Sequence, residues 1–255
     1  MSRTNQTNTD TSKGLLIGTR PIIEAIEAGK QIEKIFVQRG LRSNTFLELR
    51  PLLKQHDIPF QNVPIEKLNR ITRKNHQGVI AFVSPVAFQS LEEIVTRTFE
   101  KGETPFILIL DRVTDVRNFG AICRTAECTG VHAVVVPTRG SAPVNFDALK
   151  TSAGALNHIP VCRENNLKDT LEYLKNCGLK IVGCTEKTEE ISYSADLTGP
   201  IAVIMGSEEN GISGEYLKMC DLSVKLPMRG RIGSLNVSVA TGALLYEVIR
   251  QQDHL

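Results

Sequence analysis

The sequence predicts an α/β protein with a small α/β unit followed by a larger domain built on a parallel sheet. Short apolar segments rich in β-branched residues alternate with amphipathic segments along the chain. In the C-terminal part these apolar segments are continuous, which is typical of parallel strands buried on both faces. The composition, 41% hydrophobic and 23% charged, is that of a globular protein.

The N-terminal part divides into a polar tail and a compact unit. Residues 1–13 contain no apolar core, which excludes a signal peptide and predicts a disordered tail. Residues 14–85 alternate predicted strands and helices, and Pro21 and Pro64 suit first-turn positions of two helices. The predicted strands are LLIG, KIFVQ, FQNV and VIAFV, and the predicted helices are 21–28, 44–55 and 64–71.

A second domain is predicted from residue 105 to residue 255, after a linker at 86–104 that contains a predicted helix, SLEEIVTRTFE (90–100), and leads into the next unit. Strand and helix segments alternate in it, so we expect a parallel sheet with helices on both faces. Ligands of such sheets bind beyond the carboxyl ends of the strands, so the residues after each strand are the candidates for a site. The predicted strands are 106–111, 133–137, 159–163, 180–185, 201–206 and 222–227.

The distribution of charge and the spacing of the cysteines limit the possible partners, metals and cellular compartment of the protein. Residues 1–90 carry 13 Lys and Arg against 7 Asp and Glu, whereas residues 91–255 carry 17 against 21. A basic N-terminal part is compatible with a polyanionic partner or with a plain solvated face. The six cysteines form no CxxC pair and no zinc spacing, which predicts free thiols, no metal and a reducing cytoplasm. No apolar run reaches the roughly 20 residues of a membrane span.

Polar residues follow two of the predicted strands. After the first strand, Asn118 stands at a helix start and Arg124 lies in an otherwise small, apolar helix. Each residue alone is more typical of a helix cap or a structural ion pair. After the fifth strand, GSEENGIS (206–213) lacks a Walker lysine, and no strand leads into GxGxxG. This loop is compatible with a plain turn or with acceptors for a ribose or a cation.

The segment after the sixth strand combines a basic loop with a helix start. In LPMRGRIGSLNVSVATGALL (226–245), Ser234 is the predicted N-cap, which places Leu235 and Asn236 in the first helical turn. The helix is apolar on two faces and therefore needs two partners, its own sheet and a second subunit. One face carries Val237, Ala240, Leu244 and Val248, and the other carries Val239, Ala243 and Tyr246.

Three motifs in the right order resemble one family. LDRVTDVRNFGAICRTAECTG, IMGSEENGIS and LPMRGRIGSLNVSVATGALLYE are similar to the SpoU (TrmH-type) branch of the SPOUT RNA methyltransferases, which methylate the ribose 2′-hydroxyl. LIGTRPIIEAI and NHQGVIAFV resemble the small ribosomal-protein-like RNA-binding domain of RlmB-type 23S rRNA (guanosine-2′-O-)methyltransferases. The resemblance implies S-adenosylmethionine as cofactor, a deep C-terminal trefoil knot, a homodimer and an RNA substrate, most simply 23S rRNA.

The resemblance also implies roles for single residues. A guanidinium keeps its proton at neutral pH, so we expect Arg124 to clamp a phosphate and stabilise the developing alkoxide rather than act as a free base. Ser234 and Asn236 are expected to form a small polar floor between cofactor and nucleotide. The implied catalytic residues are Asn118, Arg124, Glu208, Ser234 and Asn236, the cofactor-binding residues are Met205, Gly206, Leu226, Ser234 and Leu235, and the predicted RNA-binding residues are Arg117, Arg229 and Arg231.

Other functions are compatible with parts of this pattern. An RNA-binding ribosome-assembly factor without catalysis would share the fold. A tRNA ribose methyltransferase, or an antibiotic-resistance rRNA methyltransferase, would share the motifs too. A nucleotide-dependent dehydrogenase is disfavoured because the glycine fingerprint is missing. The target nucleotide is not encoded in any recognisable motif.

Overall fold

The computed structural model describes residues 9–10 and 14–253, which divide into two compact units. The first unit contains Met1–Ala87 and Val144–Phe146, and the second contains the rest of the chain. The predicted tail, 1–13, lies outside the described residues except for the strand Thr9–Asp10 (β1). This strand pairs antiparallel with Leu15–Ile17 (β2), so these two residues are ordered by backbone hydrogen bonds.

The first unit is a five-stranded mixed sheet. Its further strands are Ile32–Gln38 (β3), Phe60–Val63 (β4) and Val79–Val83 (β5), and its helices are Thr19–Glu27 (α1), Asn44–Gln55 (α2) and Ile65–Ile71 (α3). The strand order is β1-β2-β5-β3-β4, so β4 is an edge strand. β3 runs parallel to β4 and antiparallel to β5.

The two faces of this sheet are covered differently. α1 and α2 pack on one face, where Ile22 and Leu49 are completely buried. On the other face α3 packs through Leu68 against Phe36 and Ile80. With seven residues, α3 is only about 10 Å long, so it covers only part of that face.

The second unit is a six-stranded parallel sheet flanked by helices. Its strands are Phe106–Leu110 (β6), Ala133–Pro137 (β7), Val161–Glu164 (β8), Lys180–Cys184 (β9), Ile201–Met205 (β10) and Leu222–Val224 (β11). Its helices are Leu91–Glu100 (α4), Val116–Cys128 (α5), Phe146–Thr151 (α6), Leu167–Asn176 (α7), Gly214–Leu217 (α8) and Val237–Gln252 (α9). The order is β11-β9-β10-β6-β7-β8, and every neighbouring pair is parallel, which confirms the predicted parallel sheet.

The predicted linker at 86–104 is largely ordered structure of the second unit. It contains α4, and Leu91, Ile94 and Val95 of α4 lie in the hydrophobic core of that unit. The amphipathic pattern of this segment requires a core to bury against, and the sheet of the second unit provides it. Among the residues that the structure describes, no helix is long and apolar enough to cross a membrane.

The topology concentrates loops at one edge of the second sheet. β6 continues through β7 to β8 on one side, whereas β10, β9 and β11 lie on the other. The direction of strand succession therefore reverses between β6 and β10, at the centre of the sheet. Both central strands are buried along their whole length. A ligand site is expected where the loops after these strands meet.

Candidate functional site

A hydrogen-bonded cluster joins the chain segments that follow β6, β10 and β11. Asn236 Nδ2 donates to Glu208 Oε1 at 2.6 Å and to Asn118 Oδ1 at 3.0 Å. Asn118 Nδ2 donates to the same Glu208 oxygen at 3.1 Å, and the backbone N–H of Val237 donates to it at 3.3 Å. One carboxylate oxygen thus accepts three hydrogen bonds. We call Asn118, Glu208 and Asn236 the polar cluster.

Helix capping positions two members of the polar cluster. Asp115 caps α5 and accepts a hydrogen bond from the backbone N–H of Asn118 at 2.8 Å. Asn236 caps α9 and accepts one from the N–H of Ser238 at 3.0 Å. The prediction that Ser234 is the N-cap is therefore wrong. Both residue types are good caps, and the helix starts two residues later because the polar cluster also holds the asparagine amide.

A cavity of about 550 Å³ lies beside the polar cluster, within the roughly 300–1,000 Å³ typical of small-molecule sites. All the residues predicted to bind the cofactor line it, namely Met205, Gly206, Leu226, Ser234 and Leu235. A further wall of the cavity, which the sequence did not predict, is formed by Thr185, Glu186 and Lys187. These three residues directly follow β9, so the rule that sites lie after parallel strands could have found them.

Gly206 lies where two backbone segments come closest. A Cβ on this residue would lie 2.0 Å from the carbonyl carbon of Gly211 and 2.1 Å from the nitrogen of Ile212. Ser207 and Gly211 exchange two backbone hydrogen bonds, of 3.2 and 2.9 Å, which fold the loop back on the end of β10. No side chain fits at position 206, and this explains the glycine.

An ion pair between the buried Asp111 and the partly exposed Arg112 fixes the same loop from the β6 side. The Asp111 side chain is 3% exposed and accepts two hydrogen bonds from Arg112, at 3.0 and 3.1 Å. It also accepts one from the backbone N–H of Ser213 at 2.7 Å. Arg112 donates to the carbonyl of Gly211 at 3.2 Å and has φ +59°, a conformation that is rare for non-glycine residues. This ion pair was not predicted from the sequence.

Asp111→Ala is expected to lower the free energy of unfolding by about 3 kcal/mol, because it removes the acceptor of three charge-assisted hydrogen bonds. Urea denaturation followed by circular dichroism measures this change. The control is Glu172→Ala on the exposed side of α7, for which we expect a change below about 0.5 kcal/mol. Equal effects of the two substitutions would contradict the stabilising role of the ion pair between Asp111 and Arg112.

A second cavity of about 280 Å³ adjoins the first. Arg112, Asp115 and Asn118 line it on the α5 side. The segment 207–210 and Val237 line both cavities, so Glu208 belongs to a shared wall. The arrangement can hold two molecules next to each other, with the polar cluster at their junction.

The predicted arginines lie outside the polar cluster. Arg124 is exposed on α5 and makes no hydrogen bond or ion pair with any residue that the structure describes. It lies six residues after Asn118, a helical rotation of about 240°, so the two side chains leave α5 in different directions. The predicted RNA-binding residues are also exposed and are Arg117, Arg229 and Arg231.

The cavity thiol is not a nucleophile at neutral pH. Cys184 lines the larger cavity, and burial, with a smaller contribution from Glu186, raises the pKa of its thiol to about 11. A thiol with this pKa stays protonated at neutral pH. All six cysteines are free. Within residues 9–10 and 14–253, no group of three His, Cys, Asp or Glu side chains could hold a metal ion.

Fold and site define a class of α/β protein in which strand-end loops enclose a cofactor-sized cavity beside a polar cluster. Residues 105–246 match the SpoU rRNA Methylase family, and residues 15–89 match the family described as RNA 2′-O ribose methyltransferase substrate binding. The chain belongs to the SpoU rRNA methylase family, and it is an RNA methyltransferase of the SpoU/TrmH type.

Two of the similar proteins match nearly the whole chain, and a third matches about two thirds of it. YacO of Bacillus subtilis, named for the TrmH family of tRNA/rRNA methyltransferases, is 36% identical over 238 residues, which cover 93% of this chain and 96% of that protein. The crystal structure of AviRb from Streptomyces viridochromogenes in complex with AdoMet is 25% identical, has a TM-score of 0.59, and covers 98% of this chain and 94% of its own. The A. aeolicus TrmH/SpoU tRNA modifying enzyme is 30% identical, with TM-score 0.54, over 64% of this chain and 85% of its own.

S-adenosylmethionine is the cofactor of this family, and the larger cavity fits it. Met205, Leu226 and Leu235 line the cavity with apolar surface, against which an adenine ring could pack. Glu186 and the hydroxyl of Ser234 also line it and would be acceptors for ribose hydroxyls and for the positively charged groups of the cofactor.

Proposed function

We propose that the protein is an RNA (ribose-2′-O-)methyltransferase and that its substrate is 23S rRNA. One observation carries the proposal. The polar cluster lies in the wall between a cofactor-sized cavity and a smaller cavity, so a bound methyl donor and a nucleotide would meet at Glu208. The family match over residues 105–246 supports methyl transfer to RNA.

When bound, the cofactor would supply an electrophilic methyl group on a positively charged sulfur. The ribose oxygen would form a bond to the methyl carbon while the carbon–sulfur bond breaks in line and the sulfur leaves as a neutral thioether. The residues of the chain then have two tasks, to align the 2′-hydroxyl and to manage its proton. Asn118 and Asn236 are fixed by their hydrogen bonds to Glu208 and orient the ribose. Arg124 holds the adjacent phosphate and stabilises the developing alkoxide. The proton passes to phosphate or water because a guanidinium is already protonated.

The separate N-terminal unit favours rRNA as the substrate. Residues 15–89 match a substrate-binding family, and a second unit enlarges the surface available to a large folded RNA. A tRNA substrate is the second candidate, because the A. aeolicus tRNA modifying enzyme resembles this chain at 30% identity. That match covers only 64% of this chain, so it does not extend over the whole of both units.

The proposal has three further parts. They are assembly as a homodimer, a trefoil knot at the C-terminal segment and a cytoplasmic location. The second apolar face of α9 is exposed, with Val239 at 55% and Tyr246 at 54%. Such a face is typical of a helix that packs against a second copy. The free thiols favour a reducing compartment. Sedimentation equilibrium at micromolar concentration tests the dimer, and a monomer would reject it.

Methyl transfer to RNA tests the proposed function. The purified chain is incubated with S-adenosylmethionine carrying a labelled methyl group and with rRNA or tRNA from cells that lack the gene. A 2′-O-methyl group blocks alkaline cleavage at its own linkage, so label in alkali-resistant dinucleotides of 23S rRNA is the expected result. Label in tRNA would favour the second candidate. RNA binding without transfer would identify a non-catalytic assembly factor.

Glu208→Gln is expected to lower kcat about 100-fold, because the neutral amide is a weaker acceptor for the three donors that converge on Oε1. Single-turnover methyl transfer measures this loss. Glu215→Gln, an exposed carboxylate on α8 outside both cavities, is the matched control and should retain full activity. Unchanged kcat in Glu208→Gln would show that the polar cluster does not contribute to catalysis.

A further inference from the structure

Two lysine side chains converge on one aromatic ring in the first unit. Lys34 Nζ lies 4.7 Å and Lys67 Nζ 4.5 Å from the centroid of the Phe36 ring. Phe36 is 7% exposed and packs edge-on against Phe82, with ring centroids 5.7 Å apart. Within the part of the chain that the structure describes, neither ammonium group makes a hydrogen bond or an ion pair. Both charges lie against the ring, in the geometry of cation–π contacts.

The two ammonium groups repel each other at this distance. Burial lowers the pKa of Lys34, the charge of Lys67 lowers it further, and Glu33 opposes the change. Glu33, the neighbouring residue on β3, is 8% exposed and lies where the register between β3 and β5 shifts. An anion placed between the ammonium groups would replace repulsion by attraction.

The two lysine side chains are exposed beside α3, which packs on this face of the sheet. Lys34 pairs with Phe82 across β3 and β5, and Phe36 pairs with Gln61 across β3 and β4, so these side chains share one face. Gln61 is exposed on the edge strand β4. Lys67 reaches this face from α3. We call these five residues the lysine–aromatic surface.

We propose that the lysine–aromatic surface binds RNA, with a backbone phosphate between Lys34 and Lys67 and an unpaired base against Phe82. This inference rests on the proposed function for the nature of the polyanion. Lysine ammonium groups are compact point charges that bind phosphates without regard to sequence. A half-buried phenyl ring beside them offers the stacking partner that unpaired bases use in loops and single strands.

The double variant Lys34→Gln/Lys67→Gln tests the proposal in the full chain. The probe is a fluorescein-labelled uridine 20-mer RNA, and the readout is fluorescence anisotropy over a series of KCl concentrations. Loss of two phosphate contacts should weaken binding about 20-fold near 0.1 M salt and reduce the slope of log K against log salt by about 1.4. The control Lys30→Gln/Lys54→Gln removes two exposed charges at the ends of α1 and α2, which cover the opposite face.

A second variant separates stacking from charge. Phe82→Leu should weaken binding of the same RNA at least about fivefold without changing the salt slope. Thermal unfolding of each variant confirms that the first unit remains folded. Equal losses in the two lysine double variants, or no loss in Lys34→Gln/Lys67→Gln, would overturn the proposal. Because these readouts require no methyl transfer, a wild-type chain that transfers no methyl group would reject the proposed function and leave this site intact.

Discussion

Gly206→Ala is expected to weaken S-adenosylmethionine binding more than about 100-fold and to lower the free energy of unfolding by about 3 kcal/mol. The added methyl group would lie 2.0 Å from the backbone of Gly211, and backbone atoms cannot move aside as a flexible side chain can. The loop after β10 would have to separate from the strand end, which opens the wall of the larger cavity. Isothermal titration calorimetry and urea denaturation measure the two effects.

The matched control for this substitution is Gly214→Ala. Gly214 lies in α8 after the same loop, and a Cβ there would meet no atom within 4 Å. Cofactor affinity should stay within about twofold of the wild-type value, and alanine in a helix is slightly stabilising. If Gly206→Ala bound the cofactor as tightly as this control, the larger cavity would not be the cofactor site.

Arg124→Ala is expected to lower kcat for methyl transfer about 1,000-fold while the Kd for S-adenosylmethionine changes less than about twofold. The guanidinium lies outside the cofactor cavity and makes no hydrogen bond with any residue that the structure describes, so it contributes nothing to cofactor binding or to the polar cluster. Arg139→Ala removes another exposed arginine as the control. Near-normal turnover in Arg124→Ala would reject its role.

A mixing experiment shows which subunit Arg124 serves. Within its own chain Arg124 contacts no member of the polar cluster, whereas α9, which carries the exposed apolar face, packs beside α5 at Gly242 and Thr125. If the arginine acts across the proposed dimer, Arg124→Ala mixed with Glu208→Ala should recover roughly a quarter of wild-type activity, because half the dimers then hold one complete site. No recovery would place Arg124 in the site of its own subunit.

Periodicity was sufficient to predict most of the fold. The strands β7, β4 and β5 match their predicted ranges, because continuous β-branched segments have few alternatives. The sheet of the second unit is parallel as predicted, since helical segments separate its strands. The helix predicted over 90–100 is present as α4, Leu91–Glu100. Its place in the core of the second unit was harder to predict, because strands remote in sequence contribute that core.

The candidate site was predicted in part, and the omissions have physical causes. The cofactor residues follow strand ends, so topology alone brings them to one cavity. The ion pair between Asp111 and Arg112 was not predicted, because an acidic residue followed by a basic residue at a strand end is common in sequences. Only the fold shows that the Asp111 carboxylate is buried. The capping residue of α9 was misassigned because local pattern contains no information on Glu208, 28 residues away.

The hydrogen bonds of Glu208 have a consequence for biosynthesis. Its partners come from positions 118 and 236, so the polar cluster joins two asparagines that are 118 residues apart in sequence. During translation, residues through Asn236 must leave the ribosome before these three side chains can come together. Pairings so distant in sequence also close slowly. A nascent chain that ends between Val224 and Asn236 therefore contains every strand of the second sheet but not the complete polar cluster.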